Sequence, residues 1–554
     1  MATMLPASET TSRASLRTAP PTWLVVALAC AGQFLVVLDV SVVNVALPSI
    51  RADLGLSGPG LQWVVNAYAI AFAGFMLLGG RAGDLFGRKR MFLVGLSLFT
   101  VASLGGGFAQ EGWELLAARA AQGLGAAVLA PSTLTLLTSA VPEGAARARA
   151  IATWTAVGAG GGAAGGLIGG LLVEGLSWRW VLLINVPIGA VVLAAALRWL
   201  PESRAAGRRR LDLPGAVLVT SGLGALAYGI SQTEATGWTA SATLVPLFAG
   251  LLLIGLFLLV EARTTAPLMP LRLLALRPVS SANAAMFLSG SAMFCMWFFM
   301  TLYAQNVLGY SPLEAGLALV PSSLAVVVGS KLAPRWMRRL GARRVAVLGS
   351  LTGAAGFGWQ STMRADGGYL TGIMLPGILM MLGAGLTATP LAALATSGAD
   401  PRDAGLVSGM INTSRVMGGS LGLAVMSTIA AARTGESTGA VPLTEGYALA
   451  FRASAVVLLA GAAVMAVWLP GKEAAGTAGP PDTAGAGSGA EARRSAGAGS
   501  AGDLAGAAGG GDLVGAGEEG GARHAGGARN AGGAGEGGGG AGEGGDAAGA
   551  GAAR

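Results

Sequence analysis

Two side chains stand out because each is charged in water yet lies inside a long apolar run. Asp39 sits in Leu38-Asp39-Val40-Ser41-Val42-Val43-Asn44-Val45-Ala46-Leu47-Pro48, and Arg119 opens Arg119-Ala120-Ala121-Gln122-Gly123-Leu124-Gly125. A charge at the centre of a membrane span costs about 2.5–3.5 kcal/mol on insertion scales, and it adds nothing to packing that a leucine would not. Desolvation disfavours the charged form of a carboxylate, so an acid at that depth is suited to taking up and releasing a proton. The bland alternative is an acid hydrogen-bonded to a neighbouring helix. Asp39 is the only acid expected deep in any span, so it or a water-filled cavity is the expected partner of Arg119. Gln122 shares a helix face with Arg119, and Gly123 and Gly125 permit close helix approach.

Other polar residues in apolar runs follow helical spacing. At 100° per residue, Gln33 and Asn44 lie about 20° apart and Asp39 about 120° from Gln33, so this first helix is polar on two sides. Ser408, Asn412, Arg415 and Gly419 form a polar stripe at i, i+4, i+7 and i+11. Gln33, Asn44, Asn412 and Arg415 are therefore candidates for lining a cavity. Phe294, Trp297, Phe298, Phe299 and Tyr303 fit an aromatic cavity wall or a lipid-facing surface equally well. Gly165, Gly166, Gly169 and Gly170 belong to a glycine-rich run whose spacing allows tight helix packing.

The elements that must position these groups follow from composition. A chain of 554 residues that is 53% hydrophobic and 12% charged is no soluble globule, since soluble domains carry about twice that charge fraction. It reads as an all-α integral membrane protein. Fourteen spans are expected, at 23–50, 61–80, 91–109, 113–138, 150–173, 180–200, 214–232, 242–261, 280–303, 313–333, 345–363, 369–396, 404–430 and 447–469. The net charge of +8 fits arginines beside anionic lipid headgroups and gives no sign of nucleic-acid binding. Cys30 and Cys295 both fall in apolar runs, too few for a disulfide framework or a metal site.

Between the second and third expected spans lies Gly80-Arg81-Ala82-Gly83-Asp84-Leu85-Phe86-Gly87-Arg88-Lys89-Arg90. It reads as a loop at a membrane face, with Gly80 and Gly87 giving tight turns and Asp84 a carboxylate that can accept from amides or from Arg88. Three consecutive cations mark that face as cytoplasmic. The other connections on the same side are rich in arginine, while the opposite side carries only the single cations Arg51, Arg179, Arg364 and Arg433. An even number of spans with both termini in the cytoplasm satisfies this bias.

Arginine- and proline-rich connections at 201–214 and 263–278 divide the spans into six, two and six. Two six-helix bundles (23–201 and 263–470) are thus expected around a linker with two extra helices (202–262). Leu340-Gly341-Ala342-Arg343-Arg344 is a degenerate echo of Phe86-Gly87-Arg88-Lys89. Residues 1–22 are expected to be a disordered tail, since the apolar run before Cys30 is short for a cleaved leader. Residues 471–554 lack the apolar content to fold and are expected to be a second disordered tail.

The segment from Gly80 resembles, at every defined position, the loop between spans 2 and 3 of the major facilitator superfamily. Taken in order, residues 23–470 are similar to its fourteen-span drug:proton antiporter branch: Leu38 to Pro48 resembles the span-1 motif, Arg119 to Gly125 the span-4 motif, and Gly165 to Gly170 the span-5 antiporter motif. Trp178-Arg179-Trp180 and Asn185-Val186-Pro187 resemble the entry to span 6. The resemblance implies proton coupling through Asp39 and Arg119, conformational switching through Gly80, Asp84, Gly87, Arg88 and Lys89, and antiport through the span-5 glycines. Gly166 departs from the pattern, standing where that motif carries proline.

The expected activity is proton-driven export of small amphiphilic organic compounds, antibiotics among them, across a bacterial cell membrane. The expected working unit is a monomer, with protons and the lipid bilayer as its other partners. An importer, a metabolite or lipid exporter, and a transport-inactive sensor are the rivals. No cofactor or enzymatic activity is expected: no lysine lies in G-x-x-x-x-G-K-[ST], and the only histidine, His524, is in the tail. Truncation after Lys472 should leave membrane insertion and efflux near wild type; loss of efflux at unchanged protein level would assign the tail a role.

Overall fold

The computed structural model describes residues 21–470 apart from 143–144, 203–210, 265–266, 398, 401–402, 436 and 438. Residues 1–20 of the expected first tail, all of the second, and most of the arginine-rich 201–214 connection lie outside the described residues, while Thr22, expected in the first tail, already belongs to the first helix. The rest is helical. The first part comprises α1 (Thr22–Leu54), α2 (Gly58–Phe86), α3 (Arg88–Gly107), α4 (Gly112–Ala140), α5 (Ala145–Gly175), α6 (Trp180–Leu183) and α7 (Asn185–Trp199). A hairpin follows, α8 (Leu213–Thr236) and α9 (Ser241–Arg263). The last part comprises α10 (Leu271–Leu274), α11 (Arg277–Leu302), α12 (Pro312–Ala318), α13 (Val320–Leu340), α14 (Ala342–Gln360), α15 (Leu375–Ser397), α16 (Ala404–Thr434) and α17 (Ala440–Trp468). One π-helical turn, Tyr303–Val307, prolongs α11, and another, Leu370–Met374, leads into α15.

Among the described residues, thirteen helical segments are long and apolar enough to cross a membrane. The remaining expected span corresponds to α14, a 19-residue helix that opens with Arg343 and Arg344 and is rich in glycine, so its apolar stretch is short. It is nevertheless packed between α15 and α17, with Val345, Ala346, Ala354 and Phe357 buried.

The 80–90 segment corrects the expectation of a loop. Helix α2 runs on to Phe86, α3 begins at Arg88, and the whole connection is Gly87. Its φ of +106° is a backbone state that side-chain-bearing residues rarely adopt, and an added Cβ would run into the Glu202 carboxylate. Gly341, with φ +84°, joins α13 to α14 in the same way. The sequence echo is thus also an echo in structure.

Helix α8 sits against both α2 and α16. Trp63 Nε1 donates to Ser231 Oγ (3.4 Å), and Thr428 Oγ1 donates to the Ile230 carbonyl (3.2 Å). The first and last parts of the chain meet backbone to backbone where α5 meets α12. An added Cβ on Gly166 would stand 3.0 Å from the Gly316 carbonyl, and one on Gly170 would stand 2.5 Å from Leu313 Cα. Glu174 Oε2 accepts from the Leu313 amide (3.3 Å), and Gln305 Nε2 donates to the Val45 carbonyl (2.8 Å).

Gly316→Val should prise this end open, because its side chain overlaps the Gly166 carbonyl. In a Leu313→Cys background it should raise labelling by a membrane-impermeant thiol reagent several-fold. Unchanged labelling would show that the α5–α12 contact does not hold the end shut.

Candidate functional site: a buried acid–guanidinium cluster

Asp39 and Arg119 meet. Arg119 Nη1 donates to Asp39 Oδ2 at 2.6 Å and to Gln122 Oε1 at 2.7 Å, while its Nε donates to the Val64 carbonyl at 3.1 Å. The other carboxylate oxygen, Oδ1, accepts from Gln122 Nε2 (2.7 Å) and Asn185 Nδ2 (3.0 Å). Ser103 Oγ accepts from both of those amides (3.1 and 3.0 Å) and donates to the Leu182 carbonyl (2.8 Å). Below the guanidinium lies the Tyr68 ring, 4.5 Å from Cζ to centroid, itself stacked on Phe72. Such a cation over an aromatic face adds attraction that strengthens when water is excluded.

Five helices supply these groups: α1 Asp39, α2 Tyr68 and the Val64 carbonyl, α3 Ser103, α4 Arg119 and Gln122, and α7 Asn185. Asp39 is 0% exposed and Arg119 2%. Both carboxylate oxygens and the guanidinium are hydrogen-bonded, as a buried ion pair needs if its attraction is to offset desolvation. Asn185 Oδ1 and the Tyr68 hydroxyl have no protein partner. Arg119 lies seven residues into α4, about 10 Å from that helix end at 1.5 Å per residue. It is equally far from the centre of that 29-residue helix, and Asp39 lies within one residue of the centre of the 33-residue α1, so the acid is held at mid-helix depth.

Glycines bring the helices this close. An added Cβ at Gly123 would run into the Tyr68 carbonyl and lie 3.0 Å from the Ala71 side chain, both on α2; one at Gly125 would stand 2.5 Å from the Phe99 amide nitrogen of α3. On α5, Gly165 and Gly169 face α1, where a Cβ would meet the Ser41 side chain and come within 3.1 Å of Val42 Cα. Gly166 and Gly170 face α12. Ser41 Oγ also donates to the Gly162 carbonyl (2.7 Å).

The segment from Gly80 reaches outward. Lys89 Nζ donates to the Leu197 carbonyl (3.0 Å), Arg90 pairs with Glu202 (3.6 Å), and Arg81 Nη2 donates to the Leu268 carbonyl (3.5 Å). Gly80 has only an ordinary approach to Pro131, Arg88 is half-buried, and the Asp84 side chain lies outside the described residues. At the far end, Asp53 Oδ2 accepts from Trp178 Nε1 (2.9 Å) and Arg179 Nη1 (2.6 Å), fixing α1 to the entry of α6.

The four cavity candidates are not joined in one cluster. Asn44 Nδ2 donates to the Val40 carbonyl of its own helix (2.7 Å), and Gln33 lies against Gly158 of α5. Asn412 and Arg415 do meet, with Arg415 Nη2 to Asn412 Oδ1 at 2.8 Å. Of the cluster residues, Ser103 and Tyr68 were invisible to sequence reasoning, because a lone serine or tyrosine in a span is unremarkable. Asn185 carried a signal as part of Asn185-Val186-Pro187, yet without pointing to Asp39.

Helices from the two halves of the chain around buried polar groups define a polytopic transporter fold. The structure is similar to solved transporters, among them a bacterial homologue of the human lysosomal transporter Spinster (TM-score 0.57, 16% identity, 80% of this chain and 96% of that one). Another is the POT family transporter PepTSo (TM-score 0.59, 16% identity, 80% and 97%). Residues 29–423 match the Major Facilitator Superfamily, and the chain belongs to that family. It is 49% identical over 456 residues to the cephamycin export protein CmcT of Amycolatopsis lactamdurans, covering 81% of this chain and 93% of that one. It is also 39% identical over 419 residues to the puromycin resistance protein pur8 of Streptomyces alboniger, covering 75% and 83%.

Removing one member of a buried pair strands the other, which costs about 3–5 kcal/mol, whereas removing both does not. Arg119→Leu and Asp39→Leu should each lower the thermal midpoint of detergent-solubilised protein, and the double variant should lose less than the sum of the two. Additive losses in a double-mutant cycle would show that the pair is not coupled.

Proposed function

We propose that the chain is a proton-driven exporter of small amphiphilic organic compounds, antibiotics among them, working as a monomer in the bacterial cytoplasmic membrane with both termini inside. Export of a small organic compound is supported by relatives whose names state cephamycin export and puromycin resistance. Proton drive rests on one observation, the sealed Asp39–Arg119–Gln122–Asn185 cluster.

Every group that reaches the Asp39 oxygens is an N–H donor. A carboxylate without a proton can only accept, so this arrangement suits the ionised acid. Oδ1 already accepts two amide N–H bonds, whereas Oδ2 accepts one from Arg119 and keeps a lone-pair site that a proton can take. Protonation there cancels the charge that holds Arg119, and the loosened guanidinium then needs a new acceptor. That exchange ties the protonation of one carboxylate to the positions of α1, α4 and α7. In alternating access, the two bundles would rock about the central space as this cluster opens and closes.

Asp39→Asn should insert and bind substrate but lose uphill efflux driven by an imposed proton gradient, since asparagine cannot exchange a proton. Downhill movement should survive, because the neutral amide resembles the protonated acid. Substrate flux in proteoliposomes with and without a pH difference measures this, and gradient-driven accumulation equal to wild type would remove Asp39 from the coupling.

A further inference from the structure

The second interior guanidinium, Arg415 on α16, has no such partner. Its Nε and Nη2 both donate to one oxygen, Asn412 Oδ1 (3.2 and 2.8 Å), and the ion pairs among the described residues do not include it. Two of its five N–H donors share one neutral acceptor, which leaves both hydrogen-bonding capacity and a full charge uncompensated. Asp39 cannot serve, because Arg119, Gln122 and Asn185 already occupy it.

The direction of the side chain follows from the contacts of its helix. Gly409, Asn412 and Val416 face α2, meeting Leu77, Met76 and the cluster around Phe72. Ser414, Gly418 and Gly422 face α11, meeting Asn283, Phe287 and Ser291. Arg415 and Gly419 fall in the sector between these two faces, toward the junction of the two bundles. Phe294 of α11 lies over Gly419 and packs against apolar clusters of both halves. Arg415 remains partly accessible there. A membrane interior tolerates a charge of this kind where it meets an opposite charge or a water-filled cavity.

We propose that Arg415, braced by Asn412, receives an anionic group, a carboxylate, of the transported compound, with Phe294 one turn away against its apolar body. The guanidinium fork matches a carboxylate with two parallel N–H···O bonds, and the substrate supplies the negative charge that the protein withholds. This deepens the export reading and rests on it: the compounds selected are amphiphilic anions.

The test uses full-length protein in proteoliposomes and three fluorescent probes sharing one aromatic body: pyrenebutyrate, its methyl ester, and the corresponding pyrene amine. Alongside it, efflux-deficient cells carrying the gene are challenged with an antibiotic panel sorted by charge. Wild type should transport the carboxylate probe in preference to the ester and the amine. Arg415→Gln should lose roughly tenfold or more of carboxylate transport, the worth of a charge-assisted pair, with any residual ester transport unchanged, and Arg415→Lys should retain an intermediate level. Equal losses for carboxylate and ester would assign Arg415 to coupling or folding and overturn the proposal. So would transport unaffected by Arg415→Gln, or a wild type that moves only neutral or cationic probes or antibiotics, with the export reading intact in each case. A wild type that moves no probe and protects against no antibiotic would sink the export reading itself.

Discussion

The interaction on which the rest of the structure depends is a pair of opposite charges that has no water to fall back on. Asp39 and Arg119 lie on helices separated by two others in the chain, and each would be strongly unfavourable alone in a low-dielectric interior. Their pairing requires α1 and α4 to face each other, and their remaining hydrogen-bond capacity draws in α2, α3 and α7. Asn185 explains the shape of the sixth span: α6 ends at Leu183 and α7 starts at Asn185, so that this amide is turned inward while Leu182 presents its carbonyl to Ser103.

How much of this was legible in the sequence depends on how rare each signal is. An acid and an arginine inside apolar runs are conspicuous, and the scarcity of other interior acids made their pairing a natural expectation. Ser103 and Tyr68 could not be singled out, since span residues of these types usually satisfy their own helix or sit at an interface. The course of α2 was misjudged because charged residues from Arg81 to Arg90 look like loop when hydropathy alone sets the boundary. Helical hydrogen bonding continues regardless of polarity until Gly87 breaks it. Conversely, α14 was expected as a span from its position in the count, although its short apolar stretch makes it the least membrane-like of the long helices.

The two halves use the same backbone device and different charges. Gly87 and Gly341 make equivalent single-residue joints, so both bundles turn the chain alike at one end. The interior charges do not repeat. The first half holds an acid and a guanidinium that neutralise each other, while the second holds Arg415 with only an amide oxygen beside it. Duplication of a fold fixes helix positions, whereas the side chains at those positions are free to diverge. A symmetric scaffold can thus carry an internally balanced site in one half and an unbalanced one in the other.

Helix α5 connects the balanced site to the opposite half through its glycines, with its charged residues Arg147, Arg149 and Glu174 confined to its two ends. Its glycines alternate: Gly165 and Gly169 rest against α1 beside Leu38, Ser41 and Val42, and Gly166 and Gly170 rest against Gly316, Pro312 and Leu313 of α12 and its entry. Leu38 immediately precedes Asp39. Packing at backbone distance leaves no side chain to absorb a shift, and close-packed interiors transmit displacement instead of damping it. A movement of α1 that accompanies proton exchange at Asp39 must therefore either carry α5 with it or break contact along the Gly165–Gly169 face. In the first case the α12 contacts, including Glu174 with the Leu313 amide, are disturbed as well. Proline at position 166 would have removed a backbone donor and bent this helix. Glycine keeps that donor and leaves the helix bare at the point where the two halves touch, so the link between the acid and the opposite bundle is made through backbone contact.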